Sequence, residues 1–144
     1  FVKITGRKKS IFKTSMGKYV IPEVLQNKLR ESRFIEQCMV LGENEKFVTA
    51  IIVPNFQYLR NWCNIKGHGY GNNRLVTRNP EVNKRYQEEI SIFNKGFSQH
   101  EQIIKFQIVP DEWTIETGEL TPTLKVKRRF VEEKYEHEIK KMYK

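Results

Sequence analysis

Two apolar runs, IEQCMVLG (35–42) and FVTAIIVP (47–54), are each about the length of a strand and meet at the polar segment GENEKF. They read as buried strands paired in an antiparallel hairpin. Pro54 ends the second, because proline cannot donate to a ladder. Upstream, residues 1–6 and 10–15 predict two short strands with Lys8 and Lys9 at their joint. Elsewhere the period is helical. Ile21-Pro22-Glu23 opens one helix, with proline suited to the first position and an acid beside the positive end of the dipole. Its apolar face is Ile21, Val24, Leu25, the stem of Lys28, and Leu29. Residues 56–65 read as a second helix, followed by the polar glycine-rich loop KGHGYGNNR (66–74). Asn79-Pro80-Glu81 starts a third helix whose face is Val82, Tyr86, Ile90, Phe93 and Phe97. KFQIVP (105–110) predicts a strand, and EWTIETGELT (112–121) a hairpin turning at Thr117-Gly118. Val131, Tyr135, Ile139 and Met142 line one face of a C-terminal helix. The expected fold is α+β: a small mixed or antiparallel sheet, an N-terminal two-strand segment, flanking helices and a helical insertion around 56–100.

Composition narrows this picture. The 144 residues suffice for one domain with one core. No apolar run reaches the roughly 18 residues of a membrane-spanning helix. The chain opens on Phe1 in a strand-like stretch, which predicts a piece of a larger protein that carries no signal peptide here. Cys38 and Cys63 lack a CxxC spacing and lie in apolar segments, so two buried thiols are expected rather than a disulfide. The three histidines (His68, His100, His137) have no ligand spacing, and Asp111 is the one aspartate, so no metal site is expected within the chain. The loop at 66–74 fits neither a dinucleotide nor a phosphate-loop glycine pattern, and reads as structural.

Charge raises the sharper question. The net charge is +9, and residues 1–30 carry eight cations (Lys3, Arg7, Lys8, Lys9, Lys13, Lys18, Lys28, Arg30) against Glu23. A second cluster, Lys125, Lys127, Arg128 and Arg129, lies just before the last helix. Clusters of this kind bind anions, nucleic acid included, or simply form a solvated face. A flexible ammonium on a turn at the start of a helix suits a phosphate or a carboxylate under activation.

Two stretches taken together resolve the choice: GRKKSIFKTSMGKYVIPEV near the start and ELTPTLKVKRR near the end. The pair closely resembles the C-terminal domain of AMP-forming acyl-CoA synthetases. It is most similar to the long-chain fatty acid–CoA ligases, whose late motif reads LTPTxKxKR instead of PKTxSGKxxR. The resemblance runs through IEQCMVLGENEKFVTAIIVP and the insertion around 56–100, and so covers essentially the whole chain. It implies a two-step reaction: a fatty acid and ATP give acyl-AMP and pyrophosphate, then the CoA thiol displaces AMP. It also implies a small domain that alternates between two poses on a large N-terminal domain, which would bind ATP, Mg2+ and the fatty acid.

By the same resemblance Lys125 is the adenylation lysine, Arg7 contacts the nucleotide, and Lys9 is the hinge. Ser15, Met16, Gly17 and Lys18 form the loop that approaches CoA. The long-chain branch usually has two glycines in that loop, and this chain has Met16 followed by Gly17. The fragment alone is expected to be inert, because the nucleotide pocket and acyl tunnel belong to the N-terminal domain. A cytoplasmic enzyme is expected, with peripheral membrane contact left open; no residue in view would line the acyl tunnel. The alternatives are a basic nucleic-acid-binding module and a stand-alone interaction domain. The first is disfavoured because the charges sit on strand ends and a loop, without a basic recognition helix.

Overall fold

The computed structural model describes residues 11–67, 69–123 and 125–143. Its centre is a three-stranded sheet in the order β3-β4-β5. Strands β3 (Ile35–Leu41) and β4 (Val48–Pro54) pair antiparallel, with Cys38 opposite Ile52 and Val40 opposite Ala50. Strand β5 (Ile103–Ile108) lies parallel to β4, with Ile108 beside Ile52. A parallel neighbour needs a long crossover. Helices α2 (Phe56–Lys66), α3 (Asn73–Val76) and α4 (Pro80–Asn94) supply it, so the helical insertion is that crossover.

The apolar runs lack a polar face because β4 and most of β3 are covered on both sides. Cys38, Val40, Ala50 and Ile52 pack with Leu25 and Leu29 of α1 (Pro22–Leu29), Leu59 and Cys63 of α2, and Val82, Tyr86 and Ile90 of α4. The alternate residues Met39, Leu41, Ile51 and Val53 pack with Val109, Trp113, Leu120, Val131, Tyr135 and Met142. A strand covered on both sides reads as continuous hydrophobicity, and each fully buried aliphatic side chain contributes about 1.5–3 kcal/mol. Both cysteines are free and buried, as the apolar context predicted. Burial pushes the Cys38 thiol up to about 12 against the opposing charge of Arg30.

Helix ends follow local chemistry. Asn55 accepts from the Tyr58 amide at 3.2 Å and Asn79 from the Glu81 amide at 2.9 Å, capping α2 and α4. Helix α4 stops at Asn94, before Phe97, because the Asn94 side chain is taken over by β5. It accepts from the Ile103 amide and donates to the Ile103 carbonyl, both at 2.9 Å. Phe97 still packs against the core from beyond the helix. In α1 the buried face is Pro22, Leu25 and Leu29, whereas Val24 is 41% exposed and Lys28 reaches Glu31 at the surface. The glycine-rich loop shortens to give α3, capped by Asn72.

Two expectations are corrected. Residues 112–121 form successive turns and no hairpin; Leu120 bridges forward to Val126 instead. The C-terminal helix is two, α5 (Arg128–Lys134) and α6 (Glu136–Met142), interrupted at Tyr135. The amides of Tyr135 and Ile139 keep their helical acceptors, Val131 and Tyr135. The predicted apolar face therefore survives the break, and Val131, Tyr135 and Met142 are buried. The interruption falls where the Tyr135 hydroxyl accepts from Trp113 Nε1 and donates to Asp111 Oδ2, both at 3.1 Å.

A separate two-stranded ribbon, β1 (Phe12–Lys13) with β2 (Tyr19–Val20), precedes the sheet. It covers part of the predicted 10–15 strand; the predicted strand 1–6 lies outside the described residues. The ribbon turn is closed by the Thr14 amide to Lys18 O and the Gly17 amide to Thr14 O, both at 2.9 Å. Gly17 has φ +82°, a left-handed value that an L side chain disfavours by about 1–2 kcal/mol.

Three stability measurements check this packing. Tyr86 is fully buried and its hydroxyl donates to the Phe34 carbonyl at 2.7 Å. Tyr86→Phe should lower unfolding stability by about 1 kcal/mol in urea titration; no loss would show the bond is dispensable. Gly17→Ala should cost about 1–2 kcal/mol from backbone strain alone, since open contact surrounds the site. Met16 is 72% exposed, and Met16→Ala should change stability by less than about 0.5 kcal/mol.

Candidate functional site

Lys125 sits in a short loop that the chain closes on itself. The Leu120–Val126 bridge forms its stem. Across the mouth, the Thr121 amide donates to Lys125 O at 2.8 Å and the Lys125 amide donates to Thr121 Oγ1 at 3.1 Å. Thr121 Oγ1 also lies 3.0 Å from Thr123 Oγ1. Thr121 thus fastens both the amide and the carbonyl of the lysine, and Thr123 contacts Thr121 through its hydroxyl. Its side chain is exposed, and among the described residues none pairs with its ammonium. A fixed backbone carrying a free cation is suited to meeting an anion from outside the domain.

Below the stem lies Glu119, a carboxylate with no solvent exposure. Its Oε1 accepts from the Thr114 amide at 3.3 Å and from Thr117 Oγ1, and its Oε2 accepts from Lys134 Nζ on α5. Its backbone carbonyl accepts from the Lys127 amide at 2.8 Å. Burial by itself raises the carboxyl, but the bonds from Lys134, Thr117 and Thr114 outweigh it and hold the group below its ordinary value. The turn feeding this residue needs Gly118, which has φ +97° and whose Cβ position lies 2.9 Å from the Phe130 ring.

The second basic cluster is not one patch. Arg128 donates from Nη2 to Val40 O at 2.8 Å and from Nη1 to Gln26 Oε1 at 3.2 Å. Gln26 Oε1 also accepts from the Val40 amide at 3.0 Å, so the arginine braces α5 to α1 and β3. Burial lowers its pKa, against the attraction of Glu132 and Glu43.

The ribbon loop Ser15-Met16-Gly17-Lys18 is exposed and tied to the β3–β4 turn. The Ser15 amide donates to Glu45 O and the Asn44 amide to Lys13 O, each at 2.9 Å. A cleft of about 400 Å³ is lined by Phe12 from the ribbon, Gly42 and Glu43 from that turn, and Arg128 and Tyr143 from the C-terminal region. Neither Lys125 nor residues 15–18 line it. Arg7 and Lys9 lie outside the described residues. Among the described residues no group of His, Cys, Asp and Glu is arranged to hold a metal, and no helix is long and apolar enough to cross a membrane.

Sequence reading missed Glu119, Lys134 and the bracing role of Arg128. The signal for Glu119 was weak: an acid between glycine and an apolar residue, in a segment predicted to be an exposed hairpin.

Comparison with known proteins bears on this arrangement. Residues 9–144 match the family model described as the AMP-binding enzyme C-terminal domain. The long-chain-fatty-acid–CoA ligase FadD15 of Mycobacterium tuberculosis is 39% identical over 145 residues, covering 99% of this chain and 24% of that protein. Human long-chain-fatty-acid–CoA ligase 1 is 33% identical, covering 99% of this chain and 21% of its own length. The chain therefore spans about a quarter or less of these relatives. Among solved structures, the adenylation domain of a carboxylate reductase from Mycobacterium chelonae superimposes with a TM-score of 0.76 at 20% identity, over 94% of this chain and 19% of that one. That likeness supports the fold. With the family model spanning nearly its whole length, this chain belongs to the C-terminal domain family of AMP-binding enzymes.

Proposed function

We propose that this chain is the mobile C-terminal domain of an AMP-forming long-chain fatty acid–CoA ligase, with Lys125 its adenylation lysine. The observation that carries the reading is the exposed Lys125 ammonium, unpaired among the described residues, on a loop fastened by Thr121. In the first half-reaction a carboxylate oxygen attacks the α-phosphorus of ATP and pyrophosphate leaves. Negative charge builds on the phosphorus-bound oxygens, and a positioned ammonium offsets it. Loss of one such group costs on the order of 10²–10³ in rate. In the second half-reaction the CoA sulfur attacks the acyl carbonyl and AMP leaves. Lys125 has no part in that step.

The remaining roles belong to the same proposal. Arg7 contacts the nucleotide, Lys9 is the hinge, and Ser15, Met16, Gly17 and Lys18 face the CoA arm. The left-handed backbone at Gly17 supports a close approach there, and Met16 projects from the same turn into solvent. Mg2+ is carried with the ATP phosphates and held by the absent N-terminal domain. That domain is the partner on which this one alternates, and the isolated chain is inert. Nucleic acid is not a partner in this reading, because Arg128 is committed to Val40 and Gln26 and Lys134 to Glu119.

The test uses the full-length protein. Fatty-acid-dependent exchange of pyrophosphate into ATP should fall on the order of 10²–10³-fold in Lys125→Ala. Thioester formation from synthetic acyl-adenylate should stay near the wild-type rate. Equal loss in both half-reactions, or none in exchange, would remove Lys125 from the role.

A further inference from the structure

We infer that Glu119 is a positioning residue for Lys125: its buried carboxylate, bound by Lys134, Thr117 and Thr114, fixes the loop that presents the lysine. The inference rests on the adenylation role proposed for Lys125. Glu119 joins three pieces of chain that nothing else on the page connects so directly. Its side chain gathers the preceding turn through the Thr114 amide and Thr117 Oγ1. The same carboxylate holds the following helix through Lys134. Its own carbonyl takes the Lys127 amide two residues after Lys125. The stem bridge Leu120–Val126 lies between these anchors, so the loop cannot tilt without breaking at least one of them.

An apolar side chain could fill the space Glu119 occupies. Burying a carboxylate there carries a desolvation cost, and its ion pair need not repay that cost in stability. What the carboxylate adds is direction: its acceptors bind three donors from two sides, where an apolar residue would leave the Thr114 amide only its 3.2 Å bond to Thr117 Oγ1 and would release the part-exposed Lys134 ammonium to water. A general acceleration that depends on a lysine reaching one oxygen is sensitive to that direction. A displacement of about 1 Å in such a group is worth on the order of 10²-fold in rate. Glu119 touches neither substrate nor reacting atoms and acts only through the loop.

The experiment is run on the full-length protein with Glu119→Ala, Lys134→Met, Lys125→Ala and the Glu119→Ala/Lys125→Ala pair. Amide hydrogen exchange of peptides spanning 118–129 should quicken roughly tenfold or more in Glu119→Ala and Lys134→Met, with the sheet unchanged. Pyrophosphate exchange should fall on the order of 10²-fold in Glu119→Ala, with the thioester step from acyl-adenylate retained. In the Lys125→Ala background, Glu119→Ala should cause no further loss, because it acts through the missing ammonium. Unchanged amide exchange, equal loss in both half-reactions, or a further loss in the double variant would each overturn the inference. If Lys125→Ala alone leaves pyrophosphate exchange intact, the adenylation reading fails instead, and the amide exchange still decides whether Glu119 holds the loop. Should Glu119→Ala not fold, Glu119→Gln, which keeps an acceptor and gives up the ion pair, is measured the same way and should show the same selectivity to a smaller degree.

Discussion

Everything in this domain depends on a short sheet that must be buried on both sides. Strands β3 and β4 put Cys38, Val40, Ala50 and Ile52 on one face and Met39, Leu41, Ile51 and Val53 on the other, all of them out of water. Helices α1, α2 and α4 cover the first face. The second face has no long helix of its own. It is covered by the irregular segment 109–120 and the two short helices that follow. The segment that carries Lys125 is therefore also a lid on half the core. Its geometry is set by packing at Trp113, Leu120 and Val131 as much as by its turns.

That double duty explains why polar groups appear where the chain is most irregular. Backbone donors and acceptors that leave a sheet or helix must still find partners when they are covered. Glu119 meets that need at the Thr114 amide and Arg128 at the Val40 carbonyl where α5 crosses to β3, while Tyr135 joins the side chains of Trp113 and Asp111 beneath the second layer. Each is a polar side chain inserted among apolar neighbours with its partners already in place. The cost of burying them is offset locally, so rigidity is concentrated around the loop stem while the lysine itself stays in solvent.

Much of this was legible in the sequence, for identifiable reasons. Strands β3 and β4, the capped starts of α2 and α4, and the free buried cysteines follow from patterns that are local and strong. The crossover was legible as a helical insertion, although its parallel pairing was not, because Ile108 meets Ile52 only through tertiary closure. The segment 112–121 was misread as a hairpin. Thr117-Gly118 does make a turn, but Leu120 pairs forward with Val126 and leaves nothing for residue 113 to pair with. The C-terminal pattern correctly gave one apolar face and could not show the interruption at Tyr135, which coincides with hydroxyl partners distant in sequence. At the site, Lys125 and the Ser15–Lys18 loop were visible as motifs. Glu119 and Lys134 were not, since a buried ion pair between turn and helix has no periodic signature.

The two thiols have a practical consequence. The thiolate is the reactive form of cysteine, and both Cys38 and Cys63 are buried with their pKa values raised. Neither competes for an alkylating or fluorescent reagent at neutral pH while the domain is folded. A cysteine introduced at the solvent-facing position of Met16 would thus be the one readily labelled thiol among the described residues. The native chain is already a quiet background for a spectroscopic ruler attached to its own ribbon.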